Sequence, residues 1–163
     1  MLVIRPERPA DAGAIHAVVA AAFPTDAEAQ LVKVLRDAGR LTISLVADDG
    51  GEVVGHVAFS PVTVDGVGGG LGLAPLAVIP ERRGEGIGGR LVREGLEAAR
   101  AAGAAFAVVL GESVYYSRFG FEPAARHGLT DEYGGGDAFQ VVALGGVPGR
   151  GLVKYAPEFA AFG

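Results

Sequence analysis

Cysteine is absent from the chain's 163 residues, which excludes disulfides and thiolate metal sites and fits a reducing, cytoplasmic setting. Long apolar runs are missing too: no stretch reaches the roughly 18 consecutive apolar residues that mark a membrane-crossing helix. Met1-Leu2-Val3-Ile4-Arg5-Pro6 places no long apolar segment behind a basic start, so no signal peptide is expected. Basic residues are in deficit. The 14 Lys and Arg against 19 Asp and Glu give a formal net charge of −5. Phosphate contacts need a cationic surplus, so nucleic acid is excluded as the main partner. His16, His56 and His127 share no metal-ligand spacing, and no metal is expected.

Glycine, by contrast, is plentiful at 27 residues, well above the roughly 7% of an average chain. With abundant alanine and twelve arginines to two lysines, this has the look of a composition bias. A lone glycine therefore says little, and only glycines at a demanding spacing count. The length fits one domain over 1–163, which buries roughly two-thirds of its unfolded surface and needs no staple.

Leu2 to Arg5 is a short strand, and Pro9-Ala10-Asp11 opens a helix with Ile15, Val18, Val19 and Ala22 on one face. A second helix spans about Asp26 to Ala38, with Leu31, Val34, Leu35 and Ala38 as its stripe and Gly39 as its stop. Ile43 to Ala47 and Val53 to Phe59 form a hairpin about Asp48-Asp49-Gly50-Gly51. The glycine-rich stretch from Val62 to Leu73 carries a loop near Asp65-Gly66 and the start of a strand. Leu73 to Ile79 is apolar but holds Pro75, which demands a bulge or an unpaired position. A long helix from Gly86 to Ala102 turns Ile87, Leu91, Val92, Leu96 and Ala99 inward. Ala105 to Leu110 then has the unbroken apolar pattern of a central strand. A helical turn over Val114 to Phe119, a polar loop from Arg126 to Asp137, and strands near Phe139 to Leu144 and Val153 to Tyr155 complete the chain. The strand–helix–strand unit at 73–110 predicts an α/β fold with a mixed sheet.

The chemistry concentrates in Pro80-Glu81-Arg82-Arg83-Gly84-Glu85-Gly86-Ile87-Gly88-Gly89-Arg90, between a strand and a helix. The first N–H groups of a helix have no partner within it, and glycines let an anion approach them closely. Arg82, Arg83 and Arg90 add local positive charge. The glycine period does not match a dinucleotide fingerprint, and the Gly-Lys-Ser/Thr of a Walker A loop is missing.

Arg83-x-x-Gly86-x-Gly88 after Leu76-Ala77-Val78-Ile79-Pro80 resembles the acetyl-CoA signature of the GNAT N-acetyltransferase superfamily. Tyr116-Ser117-Arg118-Phe119-Gly120-Phe121 is similar to the Tyr-x-x-x-Gly-Phe stretch of that family, and the likeness runs through nearly the whole chain. Glu28-Ala29-x-Leu31-Val32, the run at 55–61 and Val153-Lys154-Tyr155 resemble a small bacterial subgroup of predicted acetyltransferases. The resemblance implies a single GNAT-like domain whose mixed, largely antiparallel sheet is flanked by helices. It implies acetyl-CoA as co-substrate, with the main chain of Leu76, Ala77 and Val78 along the pantetheine arm. Arg83 and the stretch Gly84, Glu85, Gly86, Ile87, Gly88 and Gly89 would hold the diphosphate, and Tyr116 would stand near the sulfur.

That layout agrees with the residues themselves. A bulge at Pro75 frees an N–H, that of Leu76, for the thioester carbonyl, and a neutral phenol can donate to a departing sulfur. Tyr115, four residues from Phe119, is expected in the core, and Tyr116 towards the cofactor. The first candidate for the base is Glu112, after the central strand; His56 and Glu28 follow. The acceptor is expected to be an amine-bearing small molecule or peptide, held by the first two helices and the Arg126–Asp137 loop. In that loop Asp131, Glu132 and Asp137 form an acidic, solvated set. No membrane partner is expected, and a homodimer is among the states open to the chain. A non-catalytic acyl-CoA sensor on the same scaffold, or an enzyme for longer acyl chains, are the alternatives.

Overall fold

In the computed structural model, which describes residues 1–146 and 148–162, nine strands belong to one sheet. They are β1 (Leu2–Pro6), β2 (Ile43–Asp49), β3 (Glu52–Val64), β4 (Val67–Val78), β5 (Phe106–Leu110), β6 (Glu122–Pro123), β7 (Leu129–Asp131), β8 (Phe139–Ala143) and β9 (Gly151–Lys154). The main path runs β1-β2-β3-β4-β5-β8-β6, with β9 pairing β3 and β7. Among the described residues only β4–β5 and β7–β9 are parallel, so the sheet is mixed and mostly antiparallel. The helices are α1 (Ala12–Ala22), α2 (Ala27–Asp37), α3 (Ile87–Ala101) and α4 (Ser113–Ser117).

The helix stripes pack as their spacing dictates. Ile15, Val18 and Val19 of α1 meet Ala29 and Val32 of α2 over Val46 and Ala77 of the sheet. In α2 the buried set is Ala29, Leu31, Val32 and Leu35, whereas Ala38 is exposed: the helix ends at Asp37 and Ala38 falls in the turn beyond it. On the opposite face Ile87, Leu91, Val92, Leu96 and Ala99 of α3 are all buried. Two glycines let α3 come this close. A Cβ on Gly55 would lie 2.9 Å from Leu91 Cδ1, and one on Gly95 would lie 2.5 Å from Phe59 Cε1.

Two stretches differ from the sequence reading. The stretch from Val62 to Leu73 holds the expected turn at Asp65-Gly66 and strand start, but the pairing runs on through the glycines as a second hairpin. Asp65 and Gly66 sit at φ of 47° and 83°, the two-residue turn that Asp-Gly favours, and β3 and β4 flank it. The glycine run hid the extent of this strand because its residues bring almost no side chains to score. The Arg126–Asp137 loop contains β7 and two short 3-10 turns, and β7 is ordered by pairing with β9 far along the chain.

The expected bulge does occur at Pro75. Val57 pairs with Leu76 and Phe59 with Leu73, so two steps on β3 span three on β4, and the Ala74–Pro75 peptide is cis. On the other edge β4 pairs with β5 only at Gly70, Leu71 and Gly72. Beyond Gly72 the two strands part, and the later half of β4 has an open edge.

Candidate active site

That open edge is chemically specific. The Ile79 N–H donates to the Val54 carbonyl at 3.0 Å. Antiparallel alternation then turns the Ala77 main chain to β3 as well, and leaves the N–H and C=O groups of Leu76 and Val78 facing the gap. The expectation that Leu76, Ala77 and Val78 share this role is thus narrowed. The main chain of Ala77 is occupied by the sheet, and its side chain packs under α1 and α2.

The gap opens into a cleft of ≈ 630 Å³ whose walls include Leu76, Val78, Arg83, the start of α3, and Tyr115. Gly84 and Gly86 take φ of 84° and 81°, where a side chain is strained. The chain thereby turns sharply into α3 with its amides unmasked. Among the described residues, the N–H groups of Gly84, Glu85, Gly86, Ile87, Gly88 and Gly89 find no acceptor within the protein, and the first ladder bond of the helix is Arg90 N–H to Gly86 O at 3.2 Å. Unpaired donors at a helix start, together with its dipole, make an anion cradle.

The arginines are distributed differently from the cluster expected. The Arg82 guanidinium is held by Glu85 (both oxygens at 3.0 Å) and by Asp49 at 2.9 Å, so its charge is matched within the protein. Arg90 reaches Glu94 at 3.7 Å and does not line the cleft. Arg83 does line it, anchored through the Ala22 carbonyl at 2.9 Å. Two further cleft arginines escaped the sequence reading. The Arg93 guanidinium lies 5.1 Å from the Phe119 ring centre, and that of Arg118 lies 4.7 Å from the Tyr115 ring. Among the described residues neither they nor Arg83 has a carboxylate within ion-pair distance. Arg93 stands four residues after Gly89, on the same helix face, and that spacing was the available signal.

Tyr115 departs from the expectation that placed it in the core. Tyr115 lines the cleft, and its hydroxyl is 2.9 Å from where a Gly88 Cβ would sit. Tyr116 lies deeper, edge-on to Phe121 (5.7 Å) and against Gly111 at the end of β5. It packs on the core cluster that Leu76 and Val78 also cover. Burial, with a smaller contribution from Tyr115, pushes its phenol up to about 12.

The base candidates separate clearly. Glu112 caps α4 in extended conformation, so its exposed side chain turns to a shallow groove beside Asp137 and away from the cleft. The expectation that it serves the cleft is corrected on that ground. His56 is fully buried, its Nε2 2.9 Å from Ser44 Oγ; Ser44 in turn donates to Glu7, which pairs with Arg36 of α2 at 2.6 Å and 3.0 Å. Burial lowers its pKa to about 4, leaving a neutral ring in a network that ties α2 to the sheet. Glu28 is different. Its Oε1 is sealed from solvent and has no hydrogen-bond partner among the described residues. It follows Ala22 and Phe23, which line the cleft, and precedes by one turn Leu31, which lines a second pocket. Of the acidic loop, Asp131 accepts the N–H groups of Tyr133 and Gly135, and Glu132 accepts that of Tyr155. Among the described residues, no three His, Asp or Glu side chains gather as a metal site would, and no helix is long and apolar enough to cross a membrane.

Comparison with known proteins bears on this arrangement. Residues 40–123 match the family model described as an acetyltransferase (GNAT) domain. The Escherichia coli K12 protein called uncharacterized N-acetyltransferase YhbS is 48% identical, covering 99% of this chain and 100% of that protein. The crystal structure of the E. coli YhbS protein in complex with CoA superposes with a TM-score of 0.93 at 47% identity, covering 99% of this chain and 93% of that one. A GNAT acetyltransferase from Brucella melitensis, solved in complex with acetyl-CoA, gives 0.85 at 44% identity, with 98% of each chain covered.

Proposed function

The chain belongs to the GNAT acetyltransferase family, and from that premise we propose that it transfers the acetyl group of acetyl-CoA directly to a primary amine. Residues 1–163 act as one catalytic domain. One observation carries the reading: six successive N–H groups, from Gly84 to Gly89, are without an acceptor among the described residues, beside the open edge of β4. The complexes of the two relatives with CoA and acetyl-CoA support the same ligand here.

The residues then take definite roles. The amides from Gly84 to Gly89 hold the diphosphate, with Arg83, Arg93 and Arg118 around it; charge-assisted hydrogen bonds contribute about 1.5–3 kcal/mol each. Glu85 offers its N–H while its carboxylate is kept on Arg82. The Leu76 N–H polarises the thioester carbonyl, and the Val78 main chain steadies the pantetheine. The amine nitrogen bonds to the acetyl carbon, the carbon–sulfur bond breaks, and the thiolate leaves with the bonding pair. Tyr116 hydrogen-bonds that sulfur. Full proton transfer from a phenol at about 12 to a thiolate whose thiol has a pKa near 8.5 is uphill by about 4–5 kcal/mol, so Tyr116 acts as a donor and not as an acid. The amine must also lose a proton. An alkylammonium near 10.4 is some three units too basic for neutral pH, a cost of about 4–5 kcal/mol. The amine therefore attacks from its small neutral fraction, and Glu28, whose buried Oε1 has no partner among the described residues, takes the proton that the nitrogen sheds once it is bonded to the acetyl carbon.

Gly86→Glu tests the cradle, since it puts bulk and negative charge where the diphosphate rests. Acetyl-CoA binding measured by calorimetry is expected to fall by at least about 100-fold, the scale of two lost charge-assisted bonds. Unchanged affinity would end the assignment. Coenzyme A release with a panel of amines separates an enzyme from a sensor that only binds.

A further inference from the structure

Behind the break in β4 lies a second pocket, of ≈ 290 Å³. It adjoins the cleft along one strand: Leu73 and Ala74 line the pocket, Leu76 and Val78 the cleft, and the bulge at Pro75 lies between. Leu110, two residues past the last β4–β5 pair of Gly72 with Val108, lines it from the neighbouring strand. The walls are rings. Tyr155 packs at 5.8 Å from Tyr133 and at 5.3 Å from Phe159, and Phe162 also lines the hollow. Leu110, Tyr133 and Phe162 remain 38%, 41% and 37% exposed. Several large apolar side chains left open around one hollow mark a surface meant to be covered.

Its polar features are few and of one kind. The Tyr155 hydroxyl is buried without a partner among the described residues. Burial raises its pKa, and so do the nearby carboxylates of Asp131 and Glu132; Glu132 accepts the Tyr155 N–H at 3.0 Å, which sets its charge beside this residue. One ammonium lying over these ring faces is attracted by them. A volume near the lower end of ordinary ligand sites suits a small molecule and not a folded peptide segment.

From these features we infer that the acceptor is a small primary amine carried on an apolar, ring-bearing body, which sits among Tyr133, Tyr155 and Phe159 with its nitrogen towards the break at Pro75. This rests on the amine acetylation proposed above and names the class of amine. A polyamine would carry a second ammonium into a hollow whose lining, among the described residues, has no carboxylate to pair it, so polyamines are disfavoured.

The test uses the full chain with 2-phenylethylamine and putrescine as probes. Binding to the CoA-saturated protein is followed by NMR, and turnover by coenzyme A release from acetyl-CoA. Tyr133→Ala and Leu110→Gln alter partly exposed positions and spare the core. The expected result is a kcat/KM for 2-phenylethylamine at least about tenfold above that for putrescine, lost about tenfold in each variant, with the KM for acetyl-CoA within about twofold. Binding of 2-phenylethylamine to the ring residues without coenzyme A release would uphold the pocket and overturn the transferase reading. Release with putrescine as good or better, unaffected by either variant, would overturn the pocket and leave transfer standing. No binding of 2-phenylethylamine at all would overturn the pocket as well.

Discussion

At the scale of single residues, environment decides between chemically similar groups. Tyr115 and Tyr116 are neighbours, yet one hydroxyl overhangs Gly88 at the helix start and the other ring is wedged against Gly111. Tyr116→Phe is expected to lower kcat by about 10–100-fold with little change in the KM for acetyl-CoA, because it removes a donor to the leaving sulfur. Tyr115→Phe should do the reverse, weakening acetyl-CoA and sparing kcat. Steady-state kinetics on both variants checks the division, and identical behaviour would refute it. His56 makes a prediction about stability. The unfolded imidazole takes up a proton below about pH 6.5, whereas the buried one resists until about pH 4. The unfolded state thus binds more protons inside that window, so stability falls as pH drops from about 6.5 to 4, by roughly 3 kcal/mol, and is unaffected above it. Urea unfolding at several pH values should show the slope, and His56→Gln should flatten it.

Among the elements, α3 carries the most consequence, since it both covers the sheet and presents its first amides to the cleft. Its place on the sheet depends on Gly95, where an added Cβ would meet the fully buried Phe59 at 2.5 Å and 3.0 Å. Helix propensity favours alanine over glycine by about 1 kcal/mol. Overpacking a rigid ring costs about 1–3 kcal/mol. Packing should win, so Gly95→Ala is expected to lower the unfolding free energy by about 1 kcal/mol and weaken acetyl-CoA by tilting α3. A raised urea midpoint would show that the helix is free to lift. Much of this element was legible beforehand: the inward face of α3, its stop at Gly103 and the bulge at Pro75 follow from period and from proline's missing N–H. The β3–β4 hairpin was legible only as its turn at Asp65-Gly66 and the start of a strand, because glycines carry no side-chain pattern to mark how far the pairing runs.

For the whole molecule, two electrostatic effects oppose each other. The net charge of −5 repels an anionic coenzyme, while Arg83, Arg93 and Arg118 around the cleft attract it at short range. Raising salt from 0.1 to 1 M shrinks the screening length from about 10 to about 3 Å. If the cleft dominates, the Kd for acetyl-CoA rises severalfold, and Arg118→Ala makes that rise shallower; a Kd that falls with salt would mean that global repulsion wins. What the linear order of residues determined is whatever depends on near neighbours: the helix stripes, the turn glycines at Gly84 and Gly86, the kinked strand before them, and hence the cradle and its family. The rest depended on distant segments meeting. The cation set around the cleft changed because Asp49 and Glu85 claim Arg82. Glu112 turned out to solvent at the cap of α4. The aromatic pocket was assembled from α2, the Tyr133 loop and the chain's last residues, which are far apart in sequence and become one surface only when β9 pairs with β3 and β7.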